Sequence, residues 1–298
     1  MKLKFLILIS LLYPMATSAI SLGAYVANMN PNLHTYLRLE RSIGKHFNIA
    51  HDYIAWGNGV KFPHTWANAV AKHGMKPMIT WEPWDYTKGT NQPAFTLKSI
   101  IDGKHDLYIS LWADAIRLYG KPIILRFAHE MNGNWYPWTE KVNGNHSGEY
   151  VEAWKHVYNI FVGKNVTNIQ WSWCPYALGD DIAQYYPGDT YVDWLCMDGY
   201  NWGSNYPQYG GWQSFDAIFG ETYIKLKEIS NKSIMIGEIG SSEIGGKKSL
   251  WLKDAFGVRI PQMEIQAVVL FNIQKEQDWR VESSFSSLRA FRESVLRY

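Results

Sequence analysis

Eight short apolar stretches recur along this chain, separated by segments with the spacing of amphipathic helices. Strands that are apolar on both faces and are followed by crossover helices are typical of parallel sheets. Eight such units, without a Gly-rich dinucleotide-binding turn, favour an α/β fold of the closed (β/α)8 or TIM-barrel type. The predicted strands are residues 22–28, 48–56, 76–84, 121–130, 168–174, 192–200, 233–240 and 267–273. The clearest helical segments are residues 107–119, 150–162, 215–229, 250–258 and 285–296.

The length of the chain fits one such barrel. The sequence has 298 residues, and a (β/α)8 barrel takes about 250. No linker, low-complexity tract or change of composition marks a boundary within it. We therefore predict a single domain over residues 20–298.

The first nineteen residues are predicted to be an export signal rather than part of the barrel. Lys2 and Lys4 precede an apolar run at residues 5–12, and small residues follow at 16–19. This order is typical of a secretory signal peptide, and the apolar run is too short to span a bilayer. We predict cleavage after Ala19 and a secreted or periplasmic protein.

Net charge argues against nucleic acid and anionic membranes as partners. Removal of residues 1–19 lowers the number of Lys and Arg from 29 to 27, against 27 Asp and Glu. Surfaces that bind nucleic acid or anionic lipid normally carry an excess of positive charge. We expect a monomer that binds neither.

The Cys and His residues indicate neither a cofactor nor a metal. Cys174 and Cys196 both fall in predicted strands, and an exported protein can join such a pair. We favour two buried free thiols, because a domain of this size needs no disulfide. His129-Glu130 resembles the start of a zinc-binding helix, but Gly133 stands where the second His belongs.

Two acids stand where predicted strands end. Glu130 ends the fourth strand and Glu238 the seventh, on opposite sides of the barrel mouth. Active sites of these barrels form at the carboxyl ends of the strands. The two carboxyl groups are therefore predicted to face each other across a central cleft. Paired acids of this kind cleave glycosidic bonds, and a separation of about 5 to 5.5 Å would predict retention of configuration.

Aromatic side chains point to the same class of ligand. They make up 15% of the chain, which contains fifteen Trp, and several surround Glu130 in RFAHEMNGNWYPW at residues 126–138. Flat aromatic faces stack well on uncharged, hydroxyl-rich ligands such as sugars. The candidate substrate-binding residues are Trp84, Arg126, His129, Trp135, Trp138, Tyr200, Trp202 and Trp279.

The two acids are assigned different roles. Retaining cleavage needs an ionised nucleophile and a protonated acid, so the surroundings must hold their pKa values apart. We assign Glu238 as the nucleophile, because Gly237 and Gly240 leave space for a sugar to approach its carboxylate and Tyr200 can donate a hydrogen bond to it. Glu130, among aromatic residues and near the charge of Glu238, is assigned as the acid/base.

Two alternatives accompany this assignment. Glu82, in the segment WEPW, also ends a predicted strand. The Pro beside it favours a rigid turn, so we interpret Glu82 as a residue that shapes the cleft or contacts substrate. The alternative from another functional class is a barrel that binds polysaccharide without cleaving it. The presence of both Glu130 and Glu238 argues against that alternative.

These same segments resemble glycoside hydrolase family 26 over nearly all of residues 20–298. The resemblance implies a retaining (β/α)8 hydrolase with Glu130 as acid/base and Glu238 as nucleophile. It also implies that His129 and Tyr200 border the catalytic pair. The motifs are MITWEPWDY at 78–86, HEMNGNWYPW at 129–138, YPGDTYVDW at 186–194, DGYNWG at 198–203 and GEIGSSEIGG at 237–246.

Within this family the chain looks most similar to the mixed-linkage β-1,3-1,4-glucanases, or lichenases. The similarity lies in WYPW at 135–138, YNWG at 200–203 and KEQDWR at 275–280. Endo-β-1,4-mannanase is the second choice, and β-1,3-xylanases also occur in the family. The family pattern has a Trp on strand eight, where this chain has Leu270 and Phe271. We expect the stacking wall there to be altered, or supplied by Trp279.

Overall fold

The eight strands close into one parallel barrel. The computed structural model describes residues 20–27, 29–179 and 181–298. The strands pair in sequence order, and the last pairs with the first. The single-domain (β/α)8 prediction is thereby confirmed. The strands are β1 (Ser21–Tyr25), β2 (Ile49–Ala55), β3 (Lys76–Glu82), β4 (Ile123–Phe127), β5 (Ile169–Trp173), β6 (Trp194–Asn201), β7 (Ser233–Ser241) and β8 (Ala267–Phe271).

Helices cover the outside of this barrel. They are α1 (His34–Ile43), α2 (His64–Lys72), α3 (Leu97–Ile101), α4 (Asp106–Tyr119), α5 (Glu149–Gly163), α6 (Phe215–Ile229), α7 (Lys248–Asp254), α8 (Ile260–Gln262) and α9 (Phe285–Val295). Single 3-10 turns lie at Trp56–Asn58, Pro93–Phe95, Ala183–Tyr185, Asp189–Tyr191 and Pro207–Tyr209. No helix in the described ranges is long and apolar enough to cross a membrane.

Some boundaries differ from the sequence-based prediction. Three helices were not among the predicted segments: α1 and α2, which follow β1 and β2, and α3, which precedes α4. The predicted helix at 250–258 is instead α7, a π-helical turn at Ala255–Arg259 and α8. Pro261 lies in α8 and has no N–H to continue the helical ladder, which accounts for the irregularity. The predicted export signal and residue 28 lie outside the described residues.

The side chains that point into the barrel form an apolar layer at the bottom and a polar layer above it. Met78, Thr80 and Glu82 on β3 are two residues apart and share the inward face. Met78 packs in the lower barrel against Ile124 and Met235. One step up the strands, Thr80, Arg126 and Asp198 form a buried polar layer. The next step reaches the mouth of the barrel, where Glu82 and Tyr200 lie.

Cys174 and Cys196 are joined by a disulfide, so the prediction of two free thiols is wrong. Cys174 directly follows β5 and Cys196 lies in β6, its neighbour in the sheet. Their Cα atoms are 4.3 Å apart. Strand pairing therefore brings two residues together that are 22 positions apart in the chain.

Candidate active site

A cavity of about 850 Å³ opens at the carboxyl ends of the strands. Four acids line it: Glu82, Glu130 and Glu238, which are buried, and Glu276, which is exposed. Its volume lies within the range of small-ligand sites, about 300–1,000 Å³. Aromatic side chains form most of the remaining wall, namely Tyr25, Tyr53, Trp84, Tyr86, Trp135, Tyr136, Tyr176, Tyr200, Trp202, Tyr209, Phe271 and Trp279.

Glu238 is turned toward this cavity by a bulge in β7. Met197 of β6 pairs with Ile236, and the next residue, Asp198, pairs with Glu238, so that Gly237 is an extra residue on β7. A Cβ atom on Gly237 would lie 2.7 Å from Asp198 Oδ1 and 3.0 Å from Arg126 Nη1. Gly237 therefore makes room for a buried ion pair.

Gly240 likewise faces side chains of the protein. A Cβ atom there would lie 3.0 Å from Trp279 and 3.2 Å from Tyr200. Both glycines beside Glu238 allow close packing of protein groups around the carboxylate. The prediction that they leave space for a sugar is wrong.

Three donors hold the carboxylate of Glu238. The Tyr53 hydroxyl and Arg126 Nη2 both donate to Oε1, and the Tyr200 hydroxyl donates to Oε2. Burial and the charge of Glu238 raise the pKa of both tyrosines well above the usual value, so both remain donors. The arrangement fixes the position of both carboxylate oxygens and stabilises their negative charge.

Arg126 lies behind the cavity wall and not on it. Its side chain is fully buried; Nη1 is 2.6 Å from Asp198 Oδ2, and Nε donates to Thr80 Oγ1 at 2.7 Å. The guanidinium thus faces Thr80, Asp198 and Glu238, and Arg126 is not among the residues that line the cavity. We correct its assignment from a substrate contact to a positioning residue, because it links Glu238 to the buried layer below.

His129 and Trp138 are also behind the wall. His129 Nε2 is 3.9 Å from Glu238 Oε1, and burial together with Arg126 holds the pKa of His129 well below its usual value. Trp138 Nε1 donates to the His129 carbonyl at 2.7 Å. Tyr136 stacks on Trp138, with ring centroids 4.3 Å apart, and it is Tyr136 that lines the cavity. The assignment of His129 and Trp138 as direct substrate contacts is corrected accordingly.

Glu130 is presented by an unusual backbone turn after β4. Ala128 and Glu130 have φ angles of 45° and 53°, in the left-handed region that favours glycine. Such a residue costs about 1–3 kcal/mol and persists only where its surroundings hold it in place. Here the Glu130 N–H donates to the Cys174 carbonyl at 2.7 Å, and the Ala128 N–H to the Trp81 carbonyl at 3.1 Å.

The surroundings of Glu130 favour its neutral form. The residue is 7% exposed, and burial, followed by the charge of Glu238, raises its pKa to about 8. Trp135 Nε1 donates to Oε2 at 2.7 Å and partly opposes this shift. At neutral pH the carboxyl group therefore holds a proton that it can donate to a ligand in the cavity.

Glu82 is a third acid on the same wall. It ends β3 and accepts a hydrogen bond from Trp84 Nε1 at 3.2 Å. Burial raises its pKa to about 7. Its place on the cavity agrees with the interpretation of Glu82 as a shaping or contacting residue.

The other predicted substrate-binding residues all line the cavity. Trp279, from the loop after β8, packs against Tyr200 and Trp202 with ring centroids 5.0 and 5.1 Å away. On β8, Leu270 packs in the core, while Phe271 lines the cavity. Trp279 and Phe271 together thus form the aromatic wall near β8. The predicted residues on this cavity are Trp84, Trp135, Tyr200, Trp202 and Trp279.

Two tyrosines that lie in strands were not among the predicted substrate-binding residues. Tyr25 ends β1 and Tyr53 lies within β2, and both reach the cavity. Their signal in the sequence is weak, because a tyrosine in an apolar strand is usually a core residue. The charged neighbours Lys275 and Glu276 also line the cavity, from the KEQDWR segment.

Two buried groups of potential metal ligands lie beside this site, but neither suits an ion. His129, Asp198 and Glu238 have ligand atoms within 4.8 Å of one another. The Arg126 guanidinium already forms ion pairs with both acids of that group. In the group of Cys174, Cys196 and Asp198, the two sulfurs are joined to each other.

Known proteins resemble this chain in sequence and in fold. Endoglucanase H from Acetivibrio thermocellus is 37% identical over 287 residues, which cover 93% of this chain and 30% of that protein. Mannan endo-1,4-beta-mannosidase A and B from Caldalkalibacillus mannanilyticus is 30% identical over 93 residues, covering 30% of this chain and 18% of that protein. The chain thus spans less than a third of either relative.

A solved structure shares the barrel. The catalytic domain of a family 26 endo-β-1,4-mannanase from Bacillus sp. superposes with a TM-score of 0.69 at 19% identity, covering 93% of this chain and 86% of that one. The family model described as Glycosyl hydrolase family 26 matches residues 24–252. That match includes β2 to β7 and the three buried acids of the cavity, Glu82, Glu130 and Glu238. The chain therefore belongs to glycosyl hydrolase family 26.

Proposed function

We propose that this domain is a retaining endo-β-glycanase in which Glu238 is the nucleophile and Glu130 the acid/base. The observation that carries the proposal is the contrast between two acids on one cavity. Glu238 is held by a guanidinium and two hydroxyl donors, whereas burial raises the pKa of Glu130 to about 8. Double displacement requires one ionised and one protonated carboxyl group.

The chemistry follows from these two states. A Glu238 oxygen attacks the anomeric carbon while Glu130 gives its proton to the departing glycosidic oxygen, which yields a glycosyl ester on Glu238. Formation of the ester removes the negative charge that helps to raise the pKa of Glu130. Glu130, now ionised, takes a proton from water, and that water attacks the anomeric carbon and releases Glu238. The negative charge of Glu238 therefore favours protonated Glu130 in the first step. It is absent in the second step, when Glu130 must accept a proton.

We propose β-1,3-1,4-glucan as the first-choice substrate and β-1,4-mannan as the alternative. The similarity to Endoglucanase H extends over 93% of the chain, whereas the similarity to the mannosidase covers 30% of it. Trp279 and Phe271 form the aromatic wall near β8. This also supports a sugar subsite that differs from the family pattern, in which a Trp on strand eight forms that wall. Secretion and a monomeric state remain predictions from the sequence.

Reducing-sugar release tests this proposal. The purified protein is incubated in parallel with barley mixed-linkage glucan, glucomannan, galactomannan and β-1,3-xylan. We expect release from the mixed-linkage glucan, with products of several lengths at early times because an endo-acting enzyme cuts within chains. Release from the mannans alone would replace the first choice with the alternative. Binding to a polysaccharide without release from any of them would favour the non-catalytic barrel.

Replacing Glu130 with Ala should make the rate depend on the leaving group. Hydrolysis of polysaccharide is expected to fall by about 10²–10⁴-fold, because the sugar leaving group needs a proton. An aryl glycoside with a good leaving group needs none for the first step and should lose far less. Initial rates on both substrates measure the difference. Equal losses on the two would contradict the role of Glu130 as acid.

Replacing Glu82 with Gln should move the basic limb of the kcat/KM profile to lower pH. Glu130 is active while protonated, so activity is lost as pH rises through its pKa of about 8. The charge of Glu82 contributes to that raised pKa, and the substitution removes it. Glu276→Gln changes an exposed acid at the cavity rim and should leave the limb in place. An unmoved limb in Glu82→Gln would show that the two carboxyl groups do not interact.

A further inference from the structure

A separate cluster of potential ligands lies at the opposite end of the barrel. Glu40 belongs to α1, His46 to the loop before β2, and His73 caps the end of α2. These segments lead into the amino ends of β2 and β3, whereas the catalytic cavity opens at the carboxyl ends. In barrels of this type the active site lies at the carboxyl ends of the strands, and residues at the amino ends contribute to stability.

The three side chains converge on a small volume. Glu40 Oε1 is 2.8 Å from His46 Nδ1, and Glu40 Oε2 is 2.9 Å from His73 Nε2. One ligand atom from each residue lies within 4.8 Å of the other two. The two imidazole rings meet edge to face, with centroids 4.9 Å apart. Their nitrogens therefore point toward a common carboxylate from different directions.

This set of atoms is one that zinc prefers. Two imidazole nitrogens and one carboxylate oxygen form a known protein site for Zn²⁺, with a fourth position open to water. At the usual bond lengths, tetrahedral ligands lie roughly 3.3 Å apart. The two Glu–His distances of 2.8 and 2.9 Å are hydrogen-bond distances and must lengthen by about half an ångström to admit the ion. The ligand atoms lie within 4.8 Å of one another, so the two imidazole nitrogens need at most a small approach, and His46 is in a half-exposed loop that can move.

The surroundings leave access for an ion. A second, open cavity of about 460 Å³ is lined by Glu40 and His46 and provides room for a water ligand. The Phe47 N–H donates to Glu40 Oε1 at 2.9 Å and orients the carboxylate. Two cationic residues also line this second cavity. Lys45 Nζ is held by the Tyr298 carbonyl at 2.9 Å, and Arg41 is exposed to solvent. Water therefore screens most of their repulsion.

We propose that Glu40, His46 and His73 bind one Zn²⁺ ion, with water as the fourth ligand. The ion would tie the end of α1 to the end of α2 and stabilise the amino-terminal face of the barrel. The sequence gives no sign of this site, because the three ligands are spaced unlike any zinc motif. The proposal is independent of the catalytic role of the cleft.

Calorimetric titration of chelator-treated protein with ZnCl₂ tests the site. We expect one ion per chain, a higher Tm in the presence of zinc, and no competition from excess Mg²⁺, which prefers oxygen ligands. His46→Ala and His73→Ala should each weaken binding at least about tenfold, since each removes one of three protein ligands. His34→Ala removes an exposed histidine from the same helix, α1, and should leave the affinity unchanged.

Two outcomes would overturn the proposal. One is the absence of binding at about 100 μM zinc, which would place any affinity outside the useful range. The other is binding that both His46→Ala and His73→Ala leave intact, which would locate the ion elsewhere. Near-UV circular dichroism shows whether each variant is folded, so that lost binding is not mistaken for lost structure. Neither readout uses catalytic activity.

Discussion

Turnover of polysaccharide should fall by about four orders of magnitude or more when Glu238 is replaced with Ala. The substitution removes the atom that would form the covalent bond to the sugar, while Glu130, the proposed proton donor, remains. Tyr53, Tyr200 and Arg126 would then surround an empty space instead of a carboxylate. Initial rates of reducing-sugar release, compared with the unaltered protein, measure the loss.

Azide should restore part of this activity with an activated aryl glycoside. A small anion can occupy the space left by the carboxylate, beside the Arg126 guanidinium, and attack the anomeric carbon in its place. The product would be a glycosyl azide of inverted configuration. Glu238→Gln fills the same space with a neutral group, so it should be as inactive and should not respond to azide.

A matched control separates this result from a general loss of folding. Glu228→Ala removes an exposed acid on α6 and should leave the rates unchanged. Near-normal rates in Glu238→Ala would show that another group is the nucleophile. Glu82 would then be the first residue to substitute, because it is the remaining buried acid on the cavity wall.

The barrel itself was predictable because its strands are buried on both faces. Each apolar run therefore stands out from the amphipathic helices, and the eight runs predict the closed sheet. The carboxyl end of each strand then follows from the direction of the chain. This is why the location of Glu130 and Glu238 at the mouth could be predicted from their positions after β4 and within β7.

Side-chain partners were less predictable, because they depend on register around the barrel. Arg126 lies four residues before Glu130 in the chain and was assigned to substrate, yet its guanidinium points into the buried layer toward Asp198. Pairing of β5 with β6 likewise brings Cys174 to Cys196. Neither contact has a local signal, since each joins residues on different strands.

The backbone conformation at Glu130 could not be predicted from the sequence either. The segment RFAHE contains no glycine, yet Ala128 and Glu130 adopt left-handed φ angles. Hydrogen bonds from neighbouring strands hold both residues there, with the Cys174 carbonyl accepting from Glu130. Tertiary contacts thus override the local preference, as is common at functional sites.

Replacing Arg126 with Met should destabilise the barrel by about 3–5 kcal/mol, the usual cost of removing one partner from a buried ion pair. Methionine can fill much of the same volume, but the carboxylates of Asp198 and Glu238 would lose their shared cation in a layer closed to solvent. Urea unfolding followed by tryptophan fluorescence measures the change. An unchanged unfolding midpoint would contradict the ion-pair interpretation.

Two further substitutions show whether Arg126 acts through charge alone. Asp198→Asn in the Arg126→Met background removes one of the two uncompensated charges, so the double variant should be more stable than Arg126→Met. Arg126→Lys restores a cation, but one ammonium group cannot reproduce the fixed fork that joins Thr80, Asp198 and Glu238. Arg126→Lys should therefore restore more of the lost stability than of the lost kcat, while KM stays near its original value. Recovery of kcat in parallel with stability would mean that the guanidinium balances charge without orienting Glu238. A residual deficit in kcat alone would instead locate its contribution in the geometry of Glu238.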